Sequence, residues 1–167
     1  SSGKESGKGL TAAVLVLSDS VSRGEKEDRS GTIVAQGLTG LQFEVRGVSV
    51  LADERNVLER ELKRLADDER VDLIVTTGGT GVGPRDITPE ATLAVVERRI
   101  EGIEEILRSF GQDRLPTAML SRGIAGLRGK TLIINLPGSR GGVEDGINAI
   151  FPAVLHVFPM GRGEGHL

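Results

Sequence analysis

Thr76-Thr77-Gly78-Gly79-Thr80-Gly81 follows the apolar run Leu73-Ile74-Val75 and has the composition of a ligand-binding turn. Glycines let the backbone turn tightly and present successive N–H groups to an anion, and threonine hydroxyls add donors. The segment is not a Walker A loop, which needs Gly-Lys-Ser/Thr, nor the Gly-x-Gly-x-x-Gly dinucleotide fingerprint. Taken alone it is equally a structural turn. Arg85 and Asp86 follow closely; an arginine can clamp phosphate bidentately, and a carboxylate can hold Mg²⁺ that bridges two phosphates. Asp53 is the other candidate carboxylate. Its competing role is to cap the helix that begins beside it, while Asp86 competes with a simple solvated loop charge. Asn135-Leu136-Pro137-Gly138-Ser139 and Ser18-Asp19-Ser20 also follow apolar runs, and each alone reads as a turn or helix approach. Small polar residues gathered after several strands are what a crevice for a phosphate ligand requires.

Other chemistries lack their residues. Cysteine is absent and the histidines are His156 and His166 alone, which excludes disulfides, thiolate metal sites, thiol nucleophiles and a multi-histidine metal site. His156 sits in the apolar stretch Ala153-Val154-Leu155-His156-Val157 and reads as a helix-surface or interface residue rather than a triad base. Twenty-one basic against 24 acidic residues give a net charge of −3, and the 2% aromatic content is all phenylalanine. Neither a basic field nor a stacking platform for nucleic acid follows. No apolar run approaches the roughly 20 residues of a membrane helix. The expectation is a cytoplasmic protein that binds a small anionic ligand by local geometry, with no nucleic-acid or membrane partner.

The elements that must position these residues follow from hydropathy. Thr11–Leu17, Leu73–Thr76 and Thr131–Leu136 are short continuous apolar runs, the pattern of strands buried on both faces of a parallel sheet. Phe43–Val50 alternates like an edge strand. Helical character covers Thr32–Leu38; Leu58, Leu62, Leu65 and Ala66 mark an amphipathic helix, as do Ile103, Ile106, Leu107 and Phe110. Thr88-Pro89-Glu90 has the form of a cap followed by proline at a helix start, and Val143–Phe158 is mostly helical with a break at Pro152. Strands alternating with helices predict a three-layer α/β/α fold around a mostly parallel sheet. One domain over 10–160 is expected, between a flexible leader or expression remnant at 1–9 and a flexible tail at 161–167 that holds His166.

Together, Thr76-Thr77-Gly78-Gly79-Thr80-Gly81, Arg85-Asp86-Ile87-Thr88-Pro89-Glu90-Ala91-Thr92 and Asn135-Leu136-Pro137-Gly138-Ser139 closely resemble the MogA/MoaB family of molybdenum cofactor biosynthesis, which includes the G domain of gephyrin. Ser18-Asp19-Ser20 and Leu120-Ser121-Arg122-Gly123 match in the same order, so the resemblance spans roughly residues 10 to 160. It implies Mg²⁺-dependent transfer of AMP from ATP to the terminal phosphate of molybdopterin, with a molybdenum-insertion enzyme downstream. By the same resemblance Asp53 and Asp86 are the catalytic, metal-coordinating carboxylates. Gly78, Gly79, Thr80 and Gly81 would hold phosphate. Ser18, Asp19, Ser20, Thr76, Arg85, Glu90, Ser121, Arg122, Asn135, Pro137, Gly138 and Ser139 would complete the substrate pocket. Two departures stand out: the family's lysine after Leu-Pro-Gly-Ser maps to Gly141, leaving Arg140 to supply that charge or not, and Ala52 replaces a frequent proline. An alternative within the family is a MoaB-type binding protein without efficient transfer.

Assembly is a further expectation. Ile147, Ile150, Phe151, Val154, Leu155, Val157 and Phe158 spread over more than one helical face, whereas covering a sheet needs a stripe only about 100° wide. The excess predicts a shared surface, and the resemblance implies a homotrimer, sometimes doubled to a hexamer. The competing reading splits the segment at Pro152 and packs both pieces within one chain.

Overall fold

A computed structural model describes residues 6–24 and 28–158 of the chain. The expected tail with His166 lies outside the described residues, as does most of the expected leader. Of that leader, Gly7 is buried and its N–H donates to the Leu41 carbonyl.

The strands are β1 (Thr11–Leu17), β2 (Glu44–Leu51), β3 (Leu73–Thr77), β4 (Arg98–Arg99), β5 (Ala125–Arg128) and β6 (Thr131–Leu136). They form one six-stranded sheet in the order β2-β1-β3-β6-β5-β4. The β2, β1, β3 and β6 strands run parallel, while β5 and β4 pair antiparallel at one edge. The helices are α1 (Asp19–Ser22), α2 (Ser30–Gly40), α3 (Arg55–Lys63), α4 (Thr88–Val95), α5 (Glu101–Gln112) and α6 (Arg140–Ile150). A π-helical turn, Arg64–Asp68, extends α3, and 3₁₀ turns span Pro116–Leu120 and Ala153–His156.

The three layers follow from the period of two in an extended chain. Ala12, Val14, Leu73, Val75, Leu132 and Ile134 face one core, with Val34 and Leu38 of α2 and Val143 and Ile147 of α6. Ala13, Leu15, Ile74 and Ile133 face the other, with Leu58 and Leu62 of α3 and Ala91 and Val95 of α4. Both faces of the central strands are therefore dry, which is why those strands read as unbroken apolar runs. Because the four parallel strands point the same way, the segments after β1, β2, β3 and β6 emerge along one edge of the sheet. Between β1 and β3 the chain leaves in opposite lateral directions, the usual position of a crevice in an open α/β sheet.

Several local expectations differ. Asp53 does not cap α3; Glu54 holds that position in an extended conformation, and Asp53 bonds instead to the segment after β1. Thr88 is inside α4 rather than its cap, which is Ile87, because its hydroxyl donates to the Gly78 carbonyl at 3.0 Å. β4 and β5 are absent from the hydropathy reading because they are short and carry arginines. α6 starts at Arg140, capped by the Ser139 hydroxyl, and ends at Ile150. Ile147, Ile150, Val154, Leu155 and Phe158 all enter the α2/α6 core, and Phe151 and Val157 pack against it. Most of this apolar surface is thus packed within one chain, on either side of the break at Pro152, while Ile150, Val154 and Val157 also border a groove against α5.

Candidate functional site

The segment after β1 is stitched to the segment after β2 by two carboxylates. The Asp19 N–H donates to Asp53 Oδ2 at 3.1 Å, and the Asp53 N–H donates to Asp19 Oδ1 at 2.9 Å. Arg85 then grips Asp19 through Nε and Nη2 at 2.9–3.1 Å. The N–H of Asp53 and then the Arg85 guanidinium hold the Asp19 carboxyl below the usual carboxylate range. Ser18 is spent locally, accepting from the Val21 N–H to cap α1, and Ser20 lies in that helix. The Asp53 carboxylate differs from its neighbour: Oδ1 is buried and has no hydrogen-bond partner. Burial pushes its carboxyl up, against the Asp19 N–H, and the charges of Asp19 and Asp86 push it the same way. An anion held here with an unpaired oxygen is costly unless a cation or donor arrives with the ligand.

That oxygen faces the glycine turn. Gly78 and Gly79 have φ of 97° and 69°, the left-handed region that glycine adopts without strain. A Cβ on Gly78 would strike the Leu17 carbonyl, and one on Gly79 would strike Thr88 Oγ1 and lie 3.2 Å from Asp53 Oδ1. The Gly78 N–H is used, donating to the Leu136 carbonyl at 3.1 Å. Among the described residues the N–H groups of Gly79, Thr80 and Gly81 form no backbone hydrogen bond, so they remain as donors. Asp86 closes the far side of the turn: its Oδ2 accepts the Gly83 N–H at 2.8 Å and lies 2.8 Å from where a Gly81 Cβ would stand.

Other residues proposed from the motifs build the walls. Arg122 donates to the Gly81 carbonyl at 2.7 Å, to the Asp86 carbonyl at 2.8 Å and to Glu90 Oε2 at 2.6 Å. It clamps the 81–86 loop to α4, and its guanidinium holds the Glu90 carboxyl low. Thr76 and Asn135 are fully enclosed: Asn135 Nδ2 donates to Thr76 Oγ1 at 2.9 Å and Thr92 Oγ1 at 3.0 Å, while its Oδ1 accepts the Ile124 N–H. This network fixes the ends of β3 and β6 and engages both polar atoms of the Asn135 amide. Pro137 and Gly138 likewise anchor neighbours through their carbonyls, which accept from Thr77 and Ser30.

Beside the turn opens a cavity of about 620 Å³. Thr80 and Gly81 form one wall, Ser121 and Asn135 its base, and Pro137–Ser139 with Gly142 the side toward α6. The remaining wall is a face of α5 and the following 3₁₀ turn, including Glu104, Leu107, Arg108 and Arg114. That wall was missed by motif reading; its signal was an amphipathic stripe in which arginines recur among leucines and glycine. Asp19, Asp53, Arg85 and Asp86 do not line the cavity. Asp53 and Asp86 instead border the same glycine turn at Gly79 and Gly81, so the cavity and the carboxylates share one loop.

The chain matches the family described as "Probable molybdopterin binding domain" over residues 13–156. It is 42% identical over 146 residues to a molybdopterin adenylyltransferase of Helicobacter pylori, covering 84% of this chain and 81% of that protein. It is 38% identical to a molybdenum cofactor biosynthesis bifunctional protein of Chlorobaculum tepidum, covering 92% of this chain but spanning only 49% of that relative. Among solved structures, the molybdopterin biosynthesis enzyme MoaB of Thermus thermophilus superposes with a TM-score of 0.87 at 40% identity, covering 92% of this chain and 97% of that one. With the motifs, the three-layer fold and these matches in agreement, the chain belongs to the MogA/MoaB family of molybdenum cofactor biosynthesis.

Proposed function

We propose that this chain transfers AMP from ATP to the terminal phosphate of molybdopterin, releasing pyrophosphate. In that step a phosphate oxygen of molybdopterin bonds to the α-phosphorus of ATP while the bond from that phosphorus to the bridging oxygen of pyrophosphate breaks. Such displacements depend on positioning and charge neutralisation rather than on a protein nucleophile. The observation that carries the reading is Asp53 Oδ1, buried without a partner beside the glycine turn and facing the negative field of Asp19 and Asp86.

Mg²⁺ fits this donor set. Hard carboxylate oxygens suit it, and it is commonly bound by one or two carboxylates with substrate phosphates completing its shell. Among the described residues no three His, Cys, Asp or Glu side chains form a metal-binding group. Asp53 and Asp86 would hold Mg²⁺, and when bound it would neutralise phosphate charge. The N–H groups of Gly79, Thr80 and Gly81 orient phosphate oxygens, while Arg122 keeps their loop in place. The 620 Å³ cavity has the size range of small-ligand pockets, and we assign the pterin to it and the triphosphate to the carboxylate side. Relatives named molybdopterin adenylyltransferase support the reading.

We further infer a cytoplasmic homotrimer whose product passes to a molybdenum-insertion enzyme. An apolar groove of about 340 Å³ between α5 and the end of α6 offers surface for assembly. Incubation with Mg-ATP and molybdopterin, following pyrophosphate, tests the activity. Binding without pyrophosphate release would instead support a MoaB-type binding protein. Light scattering should give about three times 17.7 kDa, and a monomer mass would refute the trimer.

A further inference from the structure

The cavity wall contains two cationic side chains, Arg108 and Arg114. Arg108 is already occupied: Nη1 donates to the carbonyls of Ser121 at 3.4 Å and Gly123 at 3.3 Å, and Nη2 lies 3.6 Å from buried Glu104. Among the described residues Arg114 has a single ion pair, Nε to Asp145 Oδ1 at 3.4 Å, and 65% of its side chain is exposed. Its guanidinium carbon lies 5.5 Å from the centre of the Phe110 ring, so the planar group is laid against an aromatic surface while its remaining N–H groups stay available. Asp145 also lines the cavity. Arg140, the arginine nearest in sequence to Ser139, does not; it is exposed and lies 3.6 Å from Glu144 on the outside of α6.

We propose that Arg114 is the anion-positioning residue of this cavity, exchanging Asp145 for the phosphate monoester of the bound pterin. The proposal rests on the cavity taking molybdopterin. A guanidinium held by one long, partly solvated carboxylate contact changes partner at little cost, and a phosphate dianion offers it two parallel hydrogen bonds. Asp145 then acts as a placeholder that keeps Arg114 oriented in the free protein. The opposite surface, built from Gly138, Gly141, Gly142 and Gly146, carries the acidic Asp145 but no cation, so the cation must come from the end of α5.

Calorimetry of molybdopterin binding without ATP, together with steady-state kinetics, tests this. Arg114→Ala should weaken binding and raise KM for molybdopterin roughly 10- to 50-fold, the range for a hydrogen bond to a charged group. The KM for ATP and the melting temperature should stay unchanged. Adding Gly141→Lys to that variant should restore most of the affinity, because Gly141 lines the cavity and a Cβ there meets nothing within 4 Å. Unchanged affinity in Arg114→Ala, or a loss that Gly141→Lys does not reverse, overturns the proposal. If wild type releases pyrophosphate while Arg114→Ala binds normally, only the role of Arg114 falls. If wild type neither binds molybdopterin nor releases pyrophosphate, both that role and the proposed function fall.

Discussion

Asp53 beside the glycine turn and Glu104 on the α5 wall of the cavity are two carboxylates with opposite environments. Glu104 is only 2% exposed, yet Arg99 bonds it twice at 2.8 Å and the Ala125 N–H once at 3.1 Å, with Arg108 adjacent. Burial pushes its carboxyl up, but these partners outweigh that and hold it below the usual range. Asp53 is less buried, yet one oxygen has no partner and its carboxyl is pushed up. Satisfaction, not depth, separates the carboxylate whose oxygens are all engaged from the one left with an unpaired oxygen. The enclosed pair Thr76–Asn135 falls with Glu104; the Gly79–Gly81 backbone falls with Asp53.

The contrast breaks most sharply at the carboxylates facing the turn. Asp53→Asn and Asp86→Asn should each lower AMP transfer by roughly 10²-fold or more, the scale for removing one electrostatic stabiliser. Asparagine preserves shape, so both should remain folded. Near-normal turnover in either folded variant would remove that residue from the catalytic assignment. For Asp53 the sign of the stability effect is informative. A folded-state pKa above the unfolded value means the ionised carboxylate costs stability above the usual carboxylate range. In Mg²⁺-free buffer, Asp53→Asn should therefore melt at or above wild type at neutral pH, with the difference shrinking toward acid. A lower melting temperature at neutral pH would make Asp53 a structural residue.

Glu104→Gln should show the reverse pattern. It leaves Arg99 and Arg108 without their carboxylate, at a cost of about 1–3 kcal/mol because both arginines retain access to water. Thermal unfolding should register roughly 2–4 °C per kcal/mol for a domain of this length. Its folded pKa is depressed, so the wild-type contribution is full above the unfolded value and is lost as pH falls through the folded one. The gap between wild type and variant should close on acidification. A gap that widened in acid would contradict the satisfied ion pair.

Gly79→Val combines both regions' logic on a smaller scale. A β-branched residue at φ 69° is strained and would crowd Thr88 Oγ1, costing of order 1–3 kcal/mol, and it would obstruct phosphate approach to the turn. Calorimetry showing undiminished ATP binding would reduce the turn to a structural feature. The smallest effect belongs to Arg140→Ala, whose pair with Glu144 is exposed on both sides. Stability should move by less than about 0.5 kcal/mol, with molybdopterin affinity unchanged, and a clear loss of affinity would place the cavity's cation on α6 rather than α5.

Hydropathy alone made the central sheet legible. β1, β3 and β6 are continuous apolar runs because both of their faces are covered, and that requirement leaves few other residue choices. β4 and β5 were not legible: strands of two and four residues are held by antiparallel pairing, β5 to β6 and β4 to β5, which local sequence does not encode. The helix starts at Asp53 and Thr88 misled for a related reason. Aspartate and threonine are good caps in isolation, but each found a stronger partner elsewhere in the fold.

Composition and motifs marked the glycine turn and named the candidate carboxylates, since backbone freedom and charge are properties of residue type. Only the tertiary structure decided which of the polar side chains are already spent. Asp53 meets Asp19 across 34 positions and Asn135 meets Thr76 across 59, and the cavity's outer wall comes from α5, whose contribution no motif marked. Whether a donor or acceptor is free depends on every group that folding brings within about 3 Å of it. That set is assembled from segments distant in the chain, and so a local reading named the candidates while packing separated those already bonded within the fold from those left with unpaired groups.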